Sequence, residues 1–196
     1  EHAAREVEAH GLSDRITLLL EDYRDLPGKL DRRFDKLVSI EMIEAIGADY
    51  LPQYFAQCDR LLKPEGMALV QAITIADQRY RQALGAVDFI QRYIFPGGFL
   101  PSVTALCEVI TGHSQMRLFH LEDIGPHYAT TLRHWRERFQ ARLDQVRALG
   151  YGEAFIRMWE FYLCYCEGGF LERSIGTVQM LLVKPDCRRP PLTPSL

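Results

Sequence analysis

Two short apolar runs flank one amphipathic segment, and that order constrains the fold of this chain more than any other feature. Residues 34–40 and 67–75 are apolar runs of strand length. Between them, Tyr50, Leu51, Tyr54, Phe55, Cys58, Leu61 and Leu62 recur at helical spacing. Lys63-Pro64-Glu65-Gly66 stops that helix, because proline cannot continue it and glycine accepts a left-handed turn. Strand, helix, strand is the pattern of a parallel α/β sheet. In such sheets ligands sit beyond the C-terminal ends of the strands, so the turns after Ile40 and Ile75 are expected to face a site. An earlier apolar run, 16–20, followed by Glu21-Asp22-Tyr23, reads as a buried strand with its turn on the same side.

The rhythm breaks after Ile75. Residues 77–112 are rich in aromatics and punctuated by Pro96-Gly97-Gly98 and Pro101, which reads as a helical insertion covering the site. Residues 116–121 form another candidate strand. Leu132, Trp135, Phe139, Leu143 and Val146 mark a helix over 131–146, and 154–171 a second long helix. A final apolar strand is expected over 177–183. The Pro- and Arg-rich tail, 186–196, is expected to be disordered. The domain therefore spans 1–185. Residues 1–10 read as the tail of a helix closed by Gly11, and the chain is read as N-terminally truncated.

With 196 residues the chain is long enough for one domain with a substantial core. A formal net charge of −3 speaks against a nucleic-acid partner held by counterion release. Five scattered cysteines do not suggest a disulfide framework, which points to the cytoplasm. No apolar run is long enough to span a bilayer. His120, His127 and His134 have no metal-ligand spacing, and no metal is assigned.

Five segments, taken in order, carry a family resemblance. They are LLLEDYRDL (18–26), FDKLVSIEMIEAIG (34–47), YLPQYFAQCDRLLKPEGMALVQAITI (50–75), FIQRYIFPGGFLPS (89–102) and EDIGPHYATTLRHWRERF (122–139). Together they resemble the cyclopropane fatty acid synthase and mycolic acid cyclopropane synthase family of class I methyltransferases, which use S-adenosylmethionine (SAM). The resemblance implies a Rossmann-like sheet ending in an antiparallel hairpin. It places the first strands and the Gly-rich cofactor turn before residue 1.

The activity implied is SAM-dependent methyl transfer to the cis double bond of a phospholipid acyl chain, closing a cyclopropane ring. The enzyme would be cytoplasmic and peripheral to the inner membrane, taking its substrate at the membrane surface. A homodimer is left open. By the same resemblance a bound bicarbonate is the base, held by Glu44, Tyr128, Gln71 and the backbone of Ile73. On residue type alone Glu44 is an ordinary first-turn carboxylate, and Tyr128 an ordinary half-buried tyrosine. Gln71 departs from a histidine common in the family; an amide can donate to an anion but cannot titrate. That departure leaves a methyl branch or methylene product as an alternative, beside a noncatalytic lipid-binding role. Asp22 and Tyr23 match the turn that meets adenine, and Ser39 and Ile40 lie beside the expected methionine part of the cofactor. The aromatic insertion is either an acyl-chain tunnel or a core between helices. Arg79, Arg81 and Arg92 either meet lipid phosphates or form a solvated face.

Overall fold

The computed structural model describes residues 1–190. In chain order the elements are α1 (His2–Ala9), α2 (Leu26–Lys29), β1 (Phe34–Ile40), two single 3-10 turns (Ile43–Ala45 and Ala48–Tyr50), α3 (Leu51–Leu61), β2 (Leu62–Ile75), α4 (Asp77–Leu84), α5 (Phe89–Tyr93), α6 (Val103–His113), β3 (Arg117–Asp123), α7 (Gly125–Gln140), α8 (Leu143–Ala148), α9 (Glu153–Leu171) and β4 (Ile175–Val183). The strands form one sheet in the order β1-β2-β4-β3. β1 and β2 are parallel, with α3 as the crossover, while β4 runs antiparallel to both β2 and β3.

α3 forms where the sequence directs it. Pro52 lies in its first turn, where a missing N–H costs nothing. Leu51, Tyr54, Phe55 and Cys58 then recur on one face, and all are buried. That face packs on Ala68, Val70 and Ala72 of β2 and Val178, Met180 and Leu182 of β4, with Leu106 and Ile110 of α6. Side chains alternate along a strand, so Gln71 and Ile73 point to the opposite face. There a second core joins Ala129 and Leu132 of α7 to Leu163 and Phe170 of α9, with Ile73 and Ile175 beneath. An Arg136–Glu167 ion pair, at 2.9 and 3.3 Å, ties α7 to α9.

Three expectations change. Residues 16–20 form no strand; Leu19 and Leu20 are exposed. A strand is stable only when its backbone groups are paired, and no described strand lies alongside this run. The expected insertion, 77–112, also divides in two. Its first part covers the site, but α6 buries Ala105, Leu106 and Ile110 in the main core and is a helix of the sheet layer. Finally, the expected disordered tail is anchored where it begins. The Asp186 amide donates to the Pro64 carbonyl at 3.1 Å, and Cys187 is buried. Residues 191–196 lie outside the described residues.

Candidate active site at the strand ends

β1 ends at Ile40, opposite Gln71, while β2 runs on to Ile75. One residue past Ile40, Glu41 adopts the left-handed region at φ 51°. Such a backbone costs a non-glycine residue of order 1 kcal/mol and is retained where the surroundings over-determine it. Here they do. The Glu41 amide donates to the Gln71 carbonyl at 2.9 Å. The Gln71 side-chain NH₂ donates to Glu41 Oε1 at 2.7 Å, and the Tyr128 hydroxyl donates to Glu41 Oε2, also at 2.7 Å. Gln179, the cross-strand partner of Gln71, donates its own NH₂ to Gln71 Oε1 at 2.8 Å. That last bond fixes which end of the Gln71 amide faces Glu41.

Tyr128 reaches the strand ends because α7 starts immediately after β3. Gly125 opens the helix, its amide donating to Asp123 Oδ1 at 2.8 Å. A Cβ there would lie 3.0 Å from that oxygen and 3.3 Å from Gly176 Cα, so the close approach to β4 demands glycine. The Tyr128 ring stacks on Phe170, centroids 4.8 Å apart. Burial first, and then the bond to Glu41, push the phenol above its usual range, so it remains a donor.

Glu44 lies in the 3-10 turn after Glu41. Its Oε1 accepts from the Ile73 amide at 2.5 Å, while Oε2 is buried with no partner. Burial raises its carboxyl above the ordinary range. The cover is hooked to the same residue: the Phe99 amide donates to the Glu44 carbonyl at 3.0 Å. An Asp88–Gln91 capping box starts α5, and the Gln91 NH₂ donates to the Gly98 carbonyl at 3.0 Å. Phe89 packs edge-on against Phe161 of α9, and Phe95 against Tyr162. Tyr162, pushed up to about 12 mainly by burial, also feels the charge of Glu41. Aromatic rings thus run from the surface, where Tyr93, Phe95 and Phe161 are more than half exposed, toward the Glu41 carboxylate.

Glu44, Gln71, Ile73 and Tyr128 are therefore brought together. The remaining expected residues lie outside this hydrogen-bonded cluster. Ser39 Oγ is buried without a partner near the end of β1, while Ile40 is half exposed beside it. Tyr23 lies edge-on to Tyr54 and borders a cleft of about 310 Å³ with Arg24, Ala45, Ile46 and Tyr50. The Asp22 carboxylate is held by Arg24 at 2.5 Å, which lowers it to about 2. Glu41, Gln179 and Tyr162 went unrecognised in the sequence. For Glu41 a signal existed, since it opens a turn expected to face the site. Gln179 and Tyr162 carry no motif and become visible only through cross-strand pairing and helix packing.

Comparison with known proteins gives the family and the fold. Residues 1–180 match the family model for mycolic acid cyclopropane synthetase. The chain is 42% identical over 182 residues to tuberculostearic acid methyltransferase UfaA1 of Mycobacterium tuberculosis, covering 93% of this chain and 42% of the relative. It is 40% identical over 166 residues to the cyclopropane-fatty-acyl-phospholipid synthase of Escherichia coli K12, covering 85% and 41%. The chain thus spans about two fifths of the length of these relatives. Among solved structures, mycolic acid cyclopropane synthase CmaA1 complexed with SAH and CTAB superimposes with a TM-score of 0.77 at 26% identity, covering 94% of this chain and 67% of that one. The mixed α/β sheet is that of class I SAM-dependent methyltransferases. On sequence and fold together, the chain belongs to the mycolic acid cyclopropane synthetase family.

Proposed function

We propose that this chain serves SAM-dependent transfer of a one-carbon unit to the cis double bond of an unsaturated phospholipid acyl chain, giving a cyclopropane fatty acid. The observation that carries the reading is the convergence of Glu44, Gln71, Ile73 and Tyr128 under a cover hydrogen-bonded to Glu44 itself. The likeness to a cyclopropane-fatty-acyl-phospholipid synthase supports the substrate class.

SAM, when bound, supplies an electrophilic methyl group to the electron-rich alkene. Tyr23, Ser39 and Ile40 would hold it. The cleft bordered by Tyr23 and Tyr50 suits a partly aromatic ligand, whereas the Ser39 hydroxyl lies beside the buried hydroxyl of Tyr54. Asp22 would meet it as a carboxylate already paired with Arg24. Methyl addition leaves a cation on the lipid, which water would trap. Phe95, Phe99 and Tyr162 would exclude that water. The exposed Tyr93 and Phe95, with exposed Arg79, Arg81 and Arg92 on the same insertion, support a peripheral position on the inner membrane. No described helix is long and apolar enough to cross a membrane.

Proton removal from the added carbon needs a base. The resemblance assigns it to a bicarbonate held by Glu44, Gln71, Ile73 and Tyr128. Most donors of that set are already committed: the Ile73 amide to Glu44, and the Tyr128 hydroxyl and one N–H of Gln71 to Glu41, which leaves a single side-chain N–H over. These residues do not fit a second anion, and no step is assigned to bicarbonate.

A second reading has its own support. Gln71 cannot titrate, and a relative at 42% identity is a tuberculostearic acid methyltransferase, so the product is alternatively a methylene or methyl-branched chain. Mass spectrometry of membrane lipids from cells expressing the gene tests both. A gain of one CH₂ per unsaturated chain that resists hydrogenation is expected. A methylene that hydrogen reduces, or a saturated branch, selects the second reading. No gain removes both.

A further inference from the structure

We infer that the base of this site is the protein's own Glu41 carboxylate, standing where the family's bound anion is expected, and that the site takes no bicarbonate. The inference rests on the functional reading above and names the proton acceptor for it.

The geometry is that of a held anion. Glu41 Oε1 and Oε2 each accept one bond of 2.7 Å, from the Gln71 NH₂ and the Tyr128 hydroxyl. Neither donor is placed by chance. Gln179 orients the Gln71 amide from the adjacent strand, and Phe170 holds the Tyr128 ring by stacking. These are the two side-chain donors that an external anion would need. The backbone of Glu41 supports the same conclusion. Its positive φ, unusual for glutamate, is tied down by the bond from its amide to Gln71, and strain of this kind concentrates at functional sites. An amide at position 71 also suits a carboxylate partner: one of its two N–H groups donates to Glu41, and the amide does not titrate. Glu44 is placed differently, since its one satisfied oxygen is bound to the Ile73 amide.

The chemistry balances. After methyl addition the neighbouring lipid carbon is cationic. A proton passes from the added carbon to a Glu41 oxygen, and the C–H electron pair forms the second ring bond to the cationic carbon. The carboxylate becomes a carboxylic acid and returns its proton to solvent after product leaves.

Glu41→Gly and Glu41→Gln test this in two arms. Glycine removes the carboxylate and accepts the left-handed backbone, whereas glutamine keeps the volume if the cavity proves harmful. In the first arm, ¹³C-bicarbonate is titrated into this chain and followed by ¹³C line width. Wild type is expected to show no saturable broadening, and Glu41→Gly to show it. Saturable binding to wild type, unchanged in Glu41→Gly, overturns the inference. In the second arm, the enzyme expressed from its gene is assayed in CO₂-depleted buffer. Wild type is expected to keep its rate, Glu41→Gln to fall by about 100-fold or more, and Glu41→Gly to recover on adding bicarbonate or formate. A bicarbonate requirement in wild type, or full activity in Glu41→Gln, overturns it. If no unsaturated lipid is modified in any buffer, the functional reading fails, while the binding arm still decides whether Glu41 fills the anion site.

Discussion

Asp59→Ala should be among the most damaging single changes remote from the strand ends. Lys184 follows β4 and its side chain is 5% exposed; that of Asp59 is 18% exposed. The ammonium has Asp59 Oδ1 at 2.8 Å, with the Asp59 carbonyl at 3.3 Å and Gln115 Oε1 at 3.4 Å. The same carboxylate oxygen accepts from the Gln115 amide at 3.0 Å. Alanine therefore leaves a buried cation with two long, neutral acceptors and takes the acceptor from an amide. Breaking a buried pair from one side costs about 3–5 kcal/mol. The pair opens to a cleft lined by Arg33, Asp59, Arg60 and Gln115, so water reaches it and the low end applies. Adding the orphaned amide gives about 3–4 kcal/mol, or a fall in Tm of roughly 6–16 °C for a chain of this size. Lys184→Met keeps the stem's volume but leaves Asp59 without its cation; that carboxylate is the more exposed partner and keeps the Gln115 amide, so the loss should be smaller, about 1–3 kcal/mol. Combined with Asp59→Ala it should recover most of the loss. Urea denaturation followed by circular dichroism measures all three variants. A loss under about 1 kcal/mol for Asp59→Ala, or a double variant no better than the single one, would show that the carboxylate does not stabilise this cation.

The other predictions concern the site. Tyr128→Phe keeps the stack on Phe170 but removes the donor to Glu41, so stability should fall by only about 1–2 kcal/mol, while steady-state assays show kcat falling well before KM changes. An unchanged kcat would remove the hydroxyl from the chemistry. Glu44→Gln should lower turnover more than cofactor affinity, and equal effects in titration and rate assays would argue against a role in catalysis. Burial raises the folded-state carboxyl of Glu44, so its neutral form favours the fold. Relative to Glu44→Gln, wild type should be most stable below the unfolded carboxyl range and lose that advantage as pH rises through the raised folded value, read by denaturation at stepped pH. A gain with rising pH would contradict the burial argument. Gly125→Ala forces a methyl against Asp123 and the β4 backbone and should cost about 1–3 kcal/mol; thermal melts showing no loss would refute the close approach.

Much of the fold was legible because its signals are local. The crossover from β1 through α3 to β2 follows from apolar runs of 34–40 and 67–75 around a helical stripe, and the LKPEG stop lies where α3 gives way to β2. Glu44, Gln71, Ile73 and Tyr128 were named as candidates because their flanking segments resemble a family, not because of their residue types. The 16–20 run misled, since apolar character makes a strand only when a neighbouring strand accepts its backbone bonds.

By itself, the sequence located the β1, α3 and β2 segments, the long helices α7 and α9 and the last strand, because periodicity and turn chemistry act over a few residues. Only the tertiary structure decided what the polar residues of the site do to one another. Glu41 is joined to Gln71 across 30 residues and to Tyr128 across 87, and Gln71 to Gln179 across 108. Those bonds exist because parallel and antiparallel pairing bring β1, β2 and β4 into one register, and the start of α7 carries Tyr128 across their ends. No local pattern records that register, so the bonds that converge on the Glu41 carboxylate emerged only from the packed sheet.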